Sequence, residues 1–124
     1  MQLIFATNNL HKLKEISAML DSRFSLQSLK EVGITEDIPE EEDTLEGNAS
    51  AKAWYVFRKT GSNCFADDTG LEIEALSGRP GVKSARYAGA ECIAASNIKK
   101  VLAELDGIAD RRARFRTIIS LILD

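Results

Sequence analysis

The sequence predicts a mixed α/β domain, a central sheet flanked by helices, and three stretches predict it. The chain opens on a short apolar run, "QLIFA" (residues 2–6), then a polar turn, "TNN", then "LHKLKEISAML", in which Leu10, Leu13, Ile16 and Leu20 recur on one helical face. A second apolar run, Cys64-Phe65-Ala66, leads into "GLEIEAL", where Leu71, Ile73 and Ala75 alternate with Glu72 and Glu74. The last stretch, "RARFRTIISLILD", is basic and alternating at first and then continuously apolar, the pattern of a strand covered on both faces.

The elements follow in order. The strand at 2–6 and its turn lead into a helix near 9–21. An acidic loop around Pro39 comes next. Asp43, with Glu46 three residues on, has the pattern of an N-cap in a capping box. The helix it starts runs over 44–60, and Gly61 stops it. Strands are expected at 63–67 and 71–76. "SGRPGV" is a turn by composition, and "KSARYAG" is a short extended piece or loop. A third helix near 92–106 carries Ile98, Val101, Leu102 and Leu105 on one face, and Gly107 ends it. A strand at 113–123 joins the other strands in one sheet. The sequence shows no internal repeat, low-complexity tract or linker, and residues 1–124 read as a single domain. A domain ending on its most buried-looking strand often continues, so the chain is expected to be the N-terminal portion of a longer domain.

Composition excludes several classes. At 124 residues, with 44% hydrophobic and 28% charged content, the chain is an ordinary soluble domain able to bury a modest core. A net charge of −3 gives no general reason to bind nucleic acid or a membrane surface. The longest apolar run is too short for a membrane span, and the start has no signal-peptide pattern. Two cysteines make no disulfide framework, and one histidine makes a structural zinc site improbable. A reduced, cytoplasmic setting fits. The charge is unevenly placed: seven of the eleven residues from Glu36 to Glu46 are acidic, and four of the six from Arg111 to Arg116 are arginine.

Three places carry candidate chemistry. The turn before the first helix offers backbone N–H groups and the positive end of a helix dipole to an anion. Thr7, Asn8 and Asn9 add polar side chains there, and Lys12 sits one turn in; a plain Asn N-cap and a solvated lysine would explain the same residues. The acidic loop lies before a helix that carries Lys52 among small residues, and its carboxylates are hard oxygen donors of the kind magnesium prefers. The pair Asp67-Asp68 sits where open α/β sheets bind ligands. A cation would remove its repulsion, and one aspartate could activate a water; "DDTG" is also good turn composition.

Together, "FATNNLHKLKE", "EGNASAKA", "FADDTGLEIEAL", "GRPGVKSARYAG" and "RARF" resemble, in order and spacing, the inosine triphosphate pyrophosphatase (Ham1-like) family over essentially the whole chain. The resemblance implies that family's α/β fold and a magnesium-dependent hydrolase. Its substrates would be nucleoside triphosphates of deaminated purines (ITP, dITP, XTP), cut to monophosphate and pyrophosphate to clean the nucleotide pool. It implies a triphosphate loop at Thr7, Asn9 and Lys12, and a helix lysine facing the phosphates at Lys52. It implies a metal-binding glutamate at Glu40, with Glu41 and Glu42 as the alternatives that an acidic run leaves open. Asp68 would be metal ligand and general base, and Thr69 would touch substrate; because neighbours on an extended segment point to opposite sides, Asp67 is expected to turn toward backbone donors or to support the metal's outer shell. Family members are often homodimers.

The departures are large. The family's later Phe-Gly-Tyr-Asp and Ser-His-Arg segments, which recognise the base and clamp phosphate, do not occur. The chain therefore carries the metal and phosphate half of the site. The alternative reading is an inactive nucleotide-phosphate or metal-binding fragment that acts as an interaction domain. Two related classes are set aside. "DDTGL" and "SARYAG" argue against the septum-inhibition type of pyrophosphatase. Adjacent aspartates exclude the aspartyl-phosphate phosphatases, which need Asp-x-Asp.

Overall fold

Three of the four residues of β1 (Gln2–Phe5) are buried, because the strand is paired on both edges. It runs parallel to β2 (Ser25–Gln27) on one side and to β3 (Cys64–Ile73) on the other. The structure, a computed structural model, describes residues 1–124. Its helices are α1 (Leu10–Met19), α2 (Leu45–Thr60) and α3 (Ala94–Glu104). Two more strands, β4 (Pro80–Gly81) and β5 (Ala113–Ile122), complete a sheet of order β2-β1-β3-β4, with β5 also paired to β3. This is the mixed α/β architecture with helices about a central sheet that the sequence predicts.

The chain divides into two compact units, Met1–Glu42 with Glu46–Asp67 and Ile119–Asp124, and Asp43–Leu45 with Asp68–Ile118. The first unit is built on parallel strands. Ile4, Ala6, Cys64 and Ala66 supply the strand side of its core, Ala53 and Val56 the α2 side, and Leu29 and Ile34 close it. The fit is tight: the Cys64 thiol donates to the Ala53 carbonyl at 3.3 Å, and burial pushes that thiol's pKa up. α2 ends where predicted. Gly61, at φ +66°, adopts the left-handed conformation and returns its N–H to the Phe57 carbonyl.

The second unit continues β3 and pairs it antiparallel with β4. On its other partner, Thr69 meets Thr117, Glu72 meets Arg114, and the Glu74 N–H reaches the Arg112 carbonyl, so β5 also runs antiparallel to β3. Glu72 holds two arginines of β5, Arg114 at 2.8 Å and Arg116 at 3.0 Å, and they draw its carboxyl pKa down, Arg114 most. A smaller core joins Ile73, Leu76 and Leu105.

Several expectations are corrected. "DDTG" is no turn, since β3 runs unbroken from Cys64 to Ile73; pairing with neighbouring strands outweighs local turn composition. The predicted strand at 71–76 ends at Ile73, and Glu74–Leu76 is a 3₁₀ turn. Within "KSARYAG", expected to be a short extended piece or loop, Ser84–Arg86 forms a 3₁₀ turn. α2 begins at Leu45, so Thr44, not Asp43, is the residue before it. β2 was not foreseen, because "SLQ" has one apolar residue and is held by main-chain pairing. Leu10 and Ile98, placed on apolar helix faces, are 73% and 59% exposed. Along β5, Phe115, Thr117, Ile119 and Leu121 are exposed while Arg116, Ile118, Ser120 and Ile122 are half-buried, so the strand is covered on one face.

Gly70 shows why that position carries no side chain. A Cβ there would lie 2.4 Å from the Gly81 carbonyl oxygen and 3.2 Å from Leu45 Cδ2. Backbone cannot yield as a flexible side chain does. Gly70→Ala is expected to lower the unfolding free energy by about 2 kcal/mol in urea titration; unchanged stability would show that this approach is not tight.

Candidate active site

The turn after β1 is built by its own side chains. The Thr7 N–H returns to the Phe5 carbonyl, which ends the strand. Thr7 Oγ1 accepts from the Asn9 N–H at 3.0 Å. Asn9 Oδ1 accepts from the N–H groups of His11 and Lys12, both at 3.1 Å, and so caps α1. Asn8 Oδ1 accepts from the Lys30 N–H, fastening the turn to the chain beyond β2. The side-chain oxygens of all three residues thus shape the loop, while both Asn amide groups keep N–H donors for a ligand.

The cap aims Lys12 at β3. Its Nζ lies 3.0 Å from Asp67 Oδ2, and the aspartate side chain is only 15% exposed. The last paired residues of β1 and β3 are Phe5 and Phe65, so Asp67 stands just beyond the carboxyl end of β1. Asp67, expected to turn toward backbone donors or to support the metal's outer shell, has the Lys12 ammonium beside it. Asp68 and Thr69 follow on β3 in the second unit. One Asp68 oxygen, Oδ2, is buried, and Thr69 Oγ1 is 2.8 Å from Thr117 Oγ1.

A second ion pair lies on α2. Lys52 Nζ is 3.0 Å from Glu40 Oε1, and the lysine is the more buried partner. Neighbouring points of the acidic loop are held to the same helix. The Glu42 N–H donates to the oxygen of buried Asn48 at 3.0 Å. Glu36 Oε2 accepts from the Tyr55 hydroxyl at 2.6 Å and from Lys59 Nζ. Sequence reasoning did not single out Asn48, Glu36, Tyr55 or Lys59 as site residues. The signal available was their spacing, since residues 48, 52, 55 and 59 share one helix face.

The structure joins Lys12 to Asp67 and Lys52 to Glu40, each pair uniting a lysine expected at the phosphates with a carboxylate expected at the metal. Glu41 and Glu42 make no such pair with Lys52. No group of three or more His, Cys, Asp or Glu side chains gathers at metal-binding spacing. The donors present are hard carboxylate oxygens that already attract cationic groups. That set fits magnesium, which is held by one or two carboxylates together with waters and phosphate oxygens rather than by an all-protein cage. No helix is long and apolar enough to cross a membrane.

The structure is an α/β sheet with one lysine–carboxylate pair, Lys12–Asp67, just beyond the carboxyl end of a parallel strand and a second, Lys52–Glu40, on α2. Comparison with known proteins then places the chain, which belongs to the Ham1 family, whose sequence model matches residues 3–124. The chain is 53% identical over 121 residues to the dITP/XTP pyrophosphatase of Flavobacterium psychrophilum, covering 98% of this chain and 64% of that relative. It is 53% identical over 124 residues to the Porphyromonas gingivalis dITP/XTP pyrophosphatase, covering 99% and 64%. Among solved structures, the Staphylococcus aureus Ham1 protein superposes with a TM-score of 0.90 at 34% identity, over 98% of this chain and 63% of that one. The chain therefore spans a little under two thirds of the length of these relatives.

The Glu36 clamp gives a pH prediction. Lys59 first, then Tyr55, hold the Glu36 carboxyl down at about 2, from a usual value near 4.5. A lowered folded pKa means the stabilisation is fully present above the usual value and is lost as pH falls through about 2. Carbon-detected NMR titration should give Glu36 a midpoint near that value, and Lys59→Met should return it toward the ordinary carboxylate range. An ordinary midpoint in the unaltered protein would contradict the clamp.

Proposed function

We propose that this chain carries the phosphate- and metal-handling part of a nucleoside triphosphate pyrophosphohydrolase for deaminated purine nucleotides such as dITP, XTP and ITP. The observation that carries the proposal is the Lys12–Asp67 pair, formed between residues 55 apart in sequence, with Lys52–Glu40 as its counterpart on α2. In each pair the ammonium neutralises a carboxylate. A triphosphate gives each lysine a more highly charged partner and frees the carboxylate for a cation. The names of the relatives, dITP/XTP pyrophosphatase, support the substrate class.

In this reading the backbone turn at Thr7–Asn9 and the ammonium groups of Lys12 and Lys52 bind the triphosphate and offset its charge. Glu40, Asp67 and Asp68 would hold magnesium, which when bound neutralises phosphate charge and polarises a phosphoryl oxygen. Asp68 takes a proton from the attacking water as its oxygen bonds to the α-phosphorus. The bond to the bridging oxygen of the β-phosphate breaks, giving monophosphate and pyrophosphate. Thr69 contacts the substrate beside Asp68. Both cysteines are free, which supports a reducing, cytoplasmic setting.

The test is steady-state dITP hydrolysis with magnesium. Asp68→Asn should lower kcat by about 10²- to 10⁴-fold, because it removes the proton acceptor, while KM changes far less. Near-normal turnover in Asp68→Asn would remove Asp68 as the base. Lys12→Ala should act mainly through KM, raising it about tenfold at low salt and less at high salt, where charge is screened. A chain that binds dITP without hydrolysing it would favour the interaction-fragment reading.

A further inference from the structure

The acidic loop runs along α2 in reverse order. Glu36 is held by Tyr55 and Lys59, Glu40 by Lys52, and Glu42 by Asn48. As the residue number rises in the loop, it falls in the helix. The four helix residues are spaced four, three and four apart, which puts them on one face. Six Cα-to-Cα steps, from Glu36 to Glu42, cover the helix from residue 59 back to 48. That length is about 16 Å at 1.5 Å per residue, while six extended residues reach about 20 Å at most. The loop is drawn out, with Pro39 stiffening its middle.

This geometry bears on a selection problem. Three consecutive glutamates, Glu40, Glu41 and Glu42, have the same chemistry, and in an extended chain a slip of one residue moves a carboxylate by about 3.4 Å and turns it to the other side. The Lys52–Glu40 ion pair cannot choose among them alone, since any of the three could satisfy it. The end attachments can. The Asn48 oxygen is buried and accepts a backbone N–H, so it reads chain position rather than side-chain type. The Glu36 clamp fixes the opposite end through a hydroxyl and an ammonium on one carboxylate oxygen.

We infer that Asn48, Tyr55 and Lys59 are positioning residues that set the register of the acidic loop on α2, so that Glu40, rather than Glu41 or Glu42, is presented to the bound cation. The role given to Glu40 rests on the proposed function; the register itself does not.

The experiment uses the full chain and compares it with Tyr55→Phe/Lys59→Met, with Asn48→Ala, and with Lys59→Arg as the conservative control. Amide hydrogen exchange is read over residues 36–43, with β1 and α1 as internal references. Both loosened variants should exchange about fivefold faster in the loop alone, and Lys59→Arg should match the unaltered chain. If Asn48→Ala unfolds, the double variant on the helix surface carries the test. In a magnesium titration of dITP hydrolysis, the double variant should need about fivefold more magnesium for half-saturation, with kcat at saturating magnesium within about twofold of the unaltered chain. Unaltered loop exchange would overturn the inference, and so would faster exchange with no change in the magnesium requirement. Absence of dITP hydrolysis in the unaltered chain would count against the proposed function, while the exchange data would still decide the register.

Discussion

The close approach of α2 to the parallel strands is the constraint on which the rest of the first unit depends. Ala49, Ala53 and Val56 are fully buried, and the shared core includes Ala6, just past β1, and the β3 residues Cys64 and Ala66. Small side chains on both sides let helix and sheet come near enough for a thiol to reach a helix carbonyl. Dense packing of this kind leaves no room to rotate or shift the helix without losing contacts all along it. The polar stripe of Asn48, Lys52, Tyr55 and Lys59 lies one residue round from the buried one, about 100° of helix rotation. Fixing the apolar face therefore fixes where the polar face points.

Charge is arranged on that frame by pairing. Adjacent aspartates on an extended strand point to opposite sides, so Asp67 and Asp68 need not share an environment. Asp67 has the Lys12 ammonium, delivered by a helix that Asn9 caps. The acidic loop, which as a bare run would repel itself, is drawn onto a helix face bearing two lysines, an amide and a phenol. These contacts are partly solvated, and each alone is worth little. Their value lies in holding several groups at fixed positions before a ligand arrives, which lowers the ordering cost of binding.

The second unit relies on main-chain proximity instead. Gly70 lets β4 approach β3 so closely that no side chain fits between them. The Ser84 hydroxyl accepts from the Leu71 N–H and donates to the Gly81 carbonyl, tying the segment after β4 back to β3. Glu72 then holds Arg114 and Arg116 on the facing strand, which gives the basic half of β5 a structural use. The glycine in "DDTG" thus serves a close strand contact rather than a turn.

The sequence by itself determined the elements that rest on local patterns. The three helices, the buried first strand and the stop at Gly61 follow from periodicity and from glycine's freedom at positive φ, which need no knowledge of distant residues. The motifs from "TNN" to "RARF" were sufficient to reach the family, because residue type and spacing are linear information. Only the tertiary structure decided that β3 runs through "DDTG", since main-chain pairing between strands leaves no local trace. For the same reason "SLQ" becomes a strand, while the apolar side chains of Leu10 and Ile98 lie open. It also decided which glutamate of an acidic run meets Lys52, and that Asp67 rather than Asp68 takes Lys12. Those pairings depend on how α1, α2 and the strands pack, and three like carboxylates in a row look identical until a helix face is laid beside them.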